Sequence, residues 1–151
     1  MQLRALIGIT IPVLAAAFLA PPVIAADFRT IAESGTVAYD APSLKATRVF
    51  VTGSDYPVEV MVSVENWAKV RDKDGDLFWV EKKALSEHRM VVVMAPTADV
   101  RAAPSEQAAV AFQAAKNVVL ELAEVAAPGW VKVRHRDGQT GFARVKDLWG
   151  W

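Results

Sequence analysis

The sequence has no cysteine, only two histidines and no net charge, with 17 Lys/Arg balancing 17 Asp/Glu over 151 residues. The missing cysteine excludes a disulfide framework, a thiol nucleophile and lipid attachment at a cysteine past an export signal. His88 and His135 have no clustered ligand spacing, so they make no zinc site and read as solvated surface residues. A serine triad needs a histidine near Ser and Asp, and neither position supplies that pattern. Asp72, Asp74 and Asp76 alternate like the start of a calcium loop but lack its later ligands and its closing bidentate glutamate. They read as a charged hairpin. There is no glycine-rich phosphate loop, and the balanced charge offers nothing to nucleic acid or an anionic membrane. No catalytic set, no metal site and no cofactor is therefore expected.

What is abundant is apolar residues, at 53% against about 45–50% in ordinary globular chains. Much of the excess lies near the N-terminus. Arg4 provides a positive start, Ala5 to Ala20 is uncharged, Pro21 and Pro22 break any helix, and small residues follow at Ala25 and Ala26. That layout matches an export signal over residues 1–26, and the uncharged run is shorter than the ~20 residues a spanning helix needs. The expectation is a soluble periplasmic protein beginning near Asp27, with no membrane anchor after signal cleavage.

The rest of the chain repeats itself. Tyr39-Asp40-Ala41-Pro42-Ser43 aligns with Arg101-Ala102-Ala103-Pro104-Ser105, and Phe50 and Glu59 align with Phe112 and Glu121 at the same offset of 62. One inserted residue then makes the offset 63, pairing Trp67-Ala68-Lys69-Val70-Arg71 with Trp130-Val131-Lys132-Val133-Arg134. Asp74-Gly75, Lys83 and Leu85 continue that register onto Asp137-Gly138, Lys146 and Leu148. The chain is a duplication, with units at 27–88 and 89–151 and no Gly/Ser/Pro-rich linker between them. Unit one carries 8 basic and 11 acidic residues, unit two 8 and 6.

Within unit one, Val58, Val60, Val62 and Val64 alternate with Glu59, Met61, Ser63 and Glu65, the period of a half-buried strand. Val118, Leu120 and Leu122 alternate likewise in unit two. Trp67 to Arg71 alternates again, with Ala68 and Val70 inward. Asp-Gly between alternating runs predicts a two-residue hairpin turn in each unit. Several short strands with no helix-length periodic segment beyond the signal indicate an all-β chain of two small barrels.

The order of these parts resembles the bacterial SH3 domain. In unit one the carriers are Tyr39 to Ser43, Val58 to Val64, Trp67 to Arg71, Asp74-Gly75, Phe78-Trp79-Val80 and Leu85. In unit two they are Arg101 to Ser105, Val118 to Val125, Trp130 to Arg134, Asp137-Gly138, Gly141-Phe142-Ala143 and Leu148. The resemblance implies two closely coupled SH3-like barrels that bind a ligand and perform no chemistry. It also implies that a tryptophan near Trp67 lines a groove, with Tyr39 on the groove's other side and Trp79 on the next strand; the alternative is that Trp67 and Trp79 only pack the barrel and the join between the units. Unit two holds Arg101, Trp130 and Phe142 at those positions, a weaker groove. Eukaryotic SH3 domains grip polyproline with a Pro and a Tyr before the last strand. Those positions hold Glu81 and Ala84 here, and Arg144 and Asp147 in unit two, so a proline-rich ligand is not expected.

Two partner classes stay open: a cell-wall peptide, or a periplasmic protein met by an adaptor with no wall affinity. Trp149-Gly150-Trp151 is expected to bury itself across the join between the units.

Overall fold

The computed structural model describes residues 25–151, so the expected export signal lies outside the described residues except for its last two positions. Unit one contains β1 (Phe28–Ile31), β2 (Thr36–Tyr39), β3 (Arg48–Thr52), β4 (Pro57–Val64), β5 (Trp67–Arg71), β6 (Leu77–Glu81) and β7 (Leu85–Ser86). Unit two contains β8 (Met90–Val93), β9 (Thr97–Arg101), β10 (Val110–Ala115), β11 (Val119–Ala127), β12 (Trp130–Arg134), β13 (Thr140–Arg144) and β14 (Leu148–Trp149). A single 3-10 turn, Lys82–Ala84 or Val145–Asp147, precedes each final strand. The antiparallel sheet orders are β3-β2-β6-β5-β4-β1-β7 and β10-β9-β13-β12-β11-β8-β14. The second is the first with seven added to every label, so the duplication extends to topology. Among the described residues, no helix is long and apolar enough to cross a membrane.

One face of each sheet buries one core. Ile31, Ala38, Val58, Ala68, Val70, Phe78 and Val80 form the first. Val93, Val100, Leu120, Val131, Val133 and Ala143 occupy the equivalent positions of the second, joined by Val91, Ala98, Ala114 and Leu148. The exception proves informative. Phe78 fills the first core and packs edge-on against Phe50 at 4.8 Å, whereas its equivalent is Gly141. A Cβ on Gly141 would lie 2.7 Å from Val100 Cγ1 and from the Arg101 carbonyl oxygen. Unit one has the smaller Ala38 where unit two has Val100, so the two cores trade volume between the same two positions.

Two local expectations are corrected. The alternation of β4 does not run through: the register against β5 slips between Val60 and Val62. Met61 is the extra residue of this bulge, which leaves Val62 and Val64 47% and 44% exposed. A strand that continues past the edge of a small core bends away from it, and a bulge supplies the bend. The hairpins also have three-residue loops rather than two-residue turns. Asp72 N–H donates to the Asp76 carbonyl at 3.0 Å, and Gly75 N–H to the Asp72 carbonyl at 3.1 Å. His135 and Gln139 close the second loop identically, and Gly75 and Gly138 hold φ of +92° and +94°. Only glycine takes that left-handed position without strain.

Asp72 is buried and fully engaged. Its Oδ1 accepts from the N–H groups of Asp74 (3.0 Å) and Asp76 (2.9 Å), and its Oδ2 accepts from the Tyr56 hydroxyl at 3.4 Å. Burial first, then the negative charge of Asp72, pushes the Tyr56 phenol up to about 12 from 10.0. The folded state thus favours the protonated phenol, a stabilisation complete below pH 10 and lost as pH rises through about 12.

The units meet through Phe28 of the first and the ends of the second. Phe28 contacts the Trp149 ring edge-on, 5.1 Å between centroids, and the Arg89 guanidinium lies 5.6 Å over the Phe28 ring. Arg89 also donates to the Gly150 carbonyl at 2.8 Å. Gly150 is buried at φ +100°, and a Cβ there would lie 3.0 Å from the Met90 carbonyl oxygen and 3.3 Å from Pro57 Cβ. The tail therefore divides: Trp149 and Gly150 seal the join, while Trp151 is 50% exposed.

Two outcomes are expected. Gly150→Ala should destabilise the protein by more than the ~1–3 kcal/mol of left-handed strain alone. Gly129→Ala, at φ +80° with open space around it, reports that strain without the clash. Urea titrations of both measure the difference. Thermal unfolding of wild type should weaken between pH 10 and 12, and Tyr56→Phe should flatten that decline. An unchanged slope would remove Tyr56 as the cause.

Candidate functional site

Residues paired across neighbouring strands project to the same side of a sheet. Trp67 pairs with Glu81, Lys69 with Trp79, and Trp79 also with Tyr39. The residues between them, Ala38, Ala68, Val70, Phe78 and Val80, are the buried core. Tyr39, Trp67, Trp79 and Glu81 therefore all lie on the outer face of the sheet. The barrel interior does not contain them.

The sequence-predicted site residues separate on this face. Tyr39 and Trp67 come together, their rings edge-on at 5.3 Å and 89°. Tyr39 is covered to 6% exposure, and Trp67 stays partly open. Trp79 is the register neighbour of Tyr39 and is half-buried beside Lys69. Next to Tyr39 opens a cavity of about 380 Å³ whose lining includes Glu33, Val37, Tyr39, Glu81, Lys83 and Ala84. Sequence reasoning placed Glu81 and Ala84 only as positions lacking a proline shelf, and it missed Glu33, Val37 and Lys83. The duplication marks Val37 and Lys83, whose equivalents also line a cavity in unit two, but not Glu33, whose equivalent is Ala95.

Unit two has the same cavity, reduced to about 260 Å³ and lined by Thr97, Asp99, Arg101, Arg144, Lys146 and Asp147 with Glu106 and Gln113. The first six are the equivalents of Gly35, Val37, Tyr39, Glu81, Lys83 and Ala84 at offsets of 62 and 63. Here the lining is tied to itself. Gln113 Nε2 donates to Asp99 Oδ1 at 2.8 Å, and Arg101 donates to Asp99 Oδ2 at 3.1 Å and to the Ala108 carbonyl at 2.8 Å. Arg144 pairs with Glu106 and lies 5.0 Å over the Trp130 ring, which is only 5% exposed. Lys132 covers Phe142 at 6.0 Å. Arg101, Trp130 and Phe142 are thus each occupied within the chain. Unit one has Val37, Leu44 and Val51 where unit two has Asp99, Glu106 and Gln113, so its outer face has no such network.

A larger hollow of about 710 Å³ lies between the units, lined by both histidines with Asp55, Glu121, Arg134 and Arg136. Arg134 pairs with Glu121 at 3.5 Å, so its charges largely cancel. His135 sits at the hairpin rather than on a strand, its Nδ1 3.0 Å from Asp137 Oδ1.

Known proteins can now be set beside this geometry. A family model described as bacterial SH3 domain matches residues 32–87 and again 95–150. The chain belongs to the bacterial SH3 domain family. Both units are bacterial SH3 domains, and domains of this family are binding modules. No curated protein matches the chain. Among solved structures it is similar to NlpC2 from Trichomonas vaginalis, at 19% identity and a TM-score of 0.37 over 82% of this chain and 48% of that one. It is also similar to NlpC1 from Trichomonas vaginalis, at 15% identity and a TM-score of 0.36 over 89% of this chain and 50% of that one. The chain spans about half the length of these two proteins.

The two SH3 grooves should differ in access. Acrylamide should quench Trp67 more than Trp130, read as the quenchable emission lost in Trp67→Phe and in Trp130→Phe. Arg144→Ala should raise the Trp130 share toward that of Trp67. Equal quenching in all three proteins would show that Arg144 does not shield the ring.

Proposed function

We propose that the protein is an exported, non-catalytic binding module that holds a cell-wall peptide in the outer groove of its first SH3 unit. One observation supports the reading: equivalent cavities lie beside Tyr39 and Arg101, and the lining of the second is tied together by Asp99, Arg101, Glu106 and Arg144, where the first has Val37, Tyr39 and Glu81. Trp67 and Trp79, both partly exposed on one face, supply amphipathic surface that costs little conformational entropy to use, with Tyr39 packed against Trp67. The absence of cysteine removes the thiol nucleophile from the chain, and Asp72 spends its carboxylate on its own hairpin. The signal-like residues 1–26 support export to the periplasm, where wall peptides are within reach.

A second reading is an adaptor for a periplasmic protein. It is favoured by β3, an edge strand whose Val49 and Val51 are exposed and whose outer backbone is free to pair with another chain. The two readings separate in one experiment. Wild-type protein should pellet with purified peptidoglycan sacculi, and Trp67→Ala should stay in the supernatant with an unchanged far-ultraviolet spectrum and melting temperature. Pelleting of both proteins would move the wall contact away from Trp67. Pelleting of neither would remove wall binding and leave the adaptor reading. A loss of about 3–5 kcal/mol in the variant, the cost of truncating a buried large aromatic, would make Trp67 structural instead.

A further inference from the structure

The two copies differ in the sign of charge at one decisive place in the groove. Register pairs Trp130 with Arg144 in unit two, and Trp67 with Glu81 in unit one. In unit two the guanidinium of Arg144 rests over the tryptophan ring at 5.0 Å. The chain thus lays its own cation on that ring, and the tryptophan is only 5% exposed. In unit one the equivalent position presents a carboxylate, and the tryptophan keeps part of its surface open. The acid that neutralises Arg144 is Glu106, and its counterpart, Leu44, is 65% exposed with no charge to offer.

Unit one therefore has the tryptophan of that arrangement without a cation laid over it, and a carboxylate stands at the cation's position. Tyr39 meets Trp67 at a right angle, Glu81 adjoins Trp67 in register, and the neighbouring cavity adds the carboxylate of Glu33. Lys83 approaches Glu81 at 2.8 Å, but its side chain is 79% exposed. Such a solvated pair holds its partner weakly and yields to a better-placed cation. An aromatic face beside a carboxylate is the chemistry that recognises organic cations.

We propose that Trp67 and Glu81, with Tyr39 packed edge-on against the tryptophan, bind an ammonium or guanidinium group carried by a peptide ligand, in the place that Arg144 fills for unit two. The proposal rests on the reading of unit one as the ligand-holding copy. It adds the chemical class of the group held there. It also assigns unit two a distinct state, a groove occupied by a ligand the chain supplies itself.

The test is an NMR titration of the two-unit protein that follows the indole N–H signals of Trp67 and Trp130. The probes are acetyl-Ala-Arg-Ala-amide, its lysine analogue, and its citrulline analogue, which keeps the shape of arginine without the charge. The two charged peptides should shift the Trp67 signal saturably and leave Trp130 still, and the citrulline peptide should bind roughly tenfold more weakly. Glu81→Gln should weaken the charged peptides by a similar factor. Glu81→Arg should abolish the response; unit two shows that the fold accepts arginine there. The pair Arg144→Glu and Glu106→Leu should confer a response on Trp130. Citrulline binding as tight as arginine, or an undiminished response in Glu81→Arg, would overturn the proposal. Sacculus pelleting by a wild type that ignores the charged peptides would sink the cation site and spare the wall reading. A charged-peptide response without pelleting would do the reverse, and would place the cation on a protein.

Discussion

Each unit encloses a single layer of mostly small and β-branched side chains, and the rest of the structure depends on keeping that layer filled. With no disulfide and about 60 residues per unit, burial has to supply nearly all the stability, which is marginal at that size. A fully buried valine contributes about 1.5–3 kcal/mol, so each vacancy in so small a layer matters. The equivalences between Ile31, Val58, Val70 and Val80 and Val93, Leu120, Val133 and Ala143 follow from this. Where the copies differ inside, they differ in compensating pairs: Ala38 with Phe78, against Val100 with Gly141. The constraint acts on one face of every strand. The alternate residues point outward and escape it.

The join between units relieves the same weakness without using the grooves. Phe28, Arg89 and Trp149 belong to strands or strand ends at one side of the two sheets, together with Pro57 and Gly150. The grooves lie farther along the sheet order, on β2, β5 and β6 and on β9, β12 and β13. An aromatic edge contact of this kind is worth about 0.5–1.5 kcal/mol beyond the area it buries. For two barrels with small cores that is a material gain. The join and the two cavities therefore lie on separate parts of each strand set.

How much of this was legible in the sequence follows from the same division. The duplication, the strand order and the inward residues of β5 and β12 were readable, because core periodicity and a shared offset are properties of the chain alone. The bulge at Met61 was not, since the alternation of Val58 to Val64 is perfect in sequence and only the limited extent of the core interrupts it. The hairpin was read one residue too short, because Asp-Gly signals a left-handed glycine but not the pair that closes the loop. Tyr39, Trp67 and Trp79 were placed on one groove by family resemblance; they share the outer face of the sheet, where only Tyr39 borders the cavity. The cavity lining of Glu33, Glu81 and Lys83 escaped notice because charged residues on a strand face look solvated until a neighbour is seen. Arg144 over Trp130 escaped for the same reason.

The outward positions are where the copies have diverged, and the direction of the divergence is informative. Leu44, Val51 and Leu77 are exposed in unit one, where unit two has Glu106, Gln113 and Thr140. Unit two shows that the fold does not require apolar residues at these positions. Exposed apolar side chains on and beside an edge strand also invite unwanted pairing. They neither support the core nor improve solubility, so folding gives no reason for their presence. A contact made by this face, as proposed above, would. Unit two illustrates the alternative outcome, in which Asp99, Arg101, Glu106 and Arg144 pair with one another. The same scaffold thus exists in one chain with an apolar outer face and with one crossed by ion pairs.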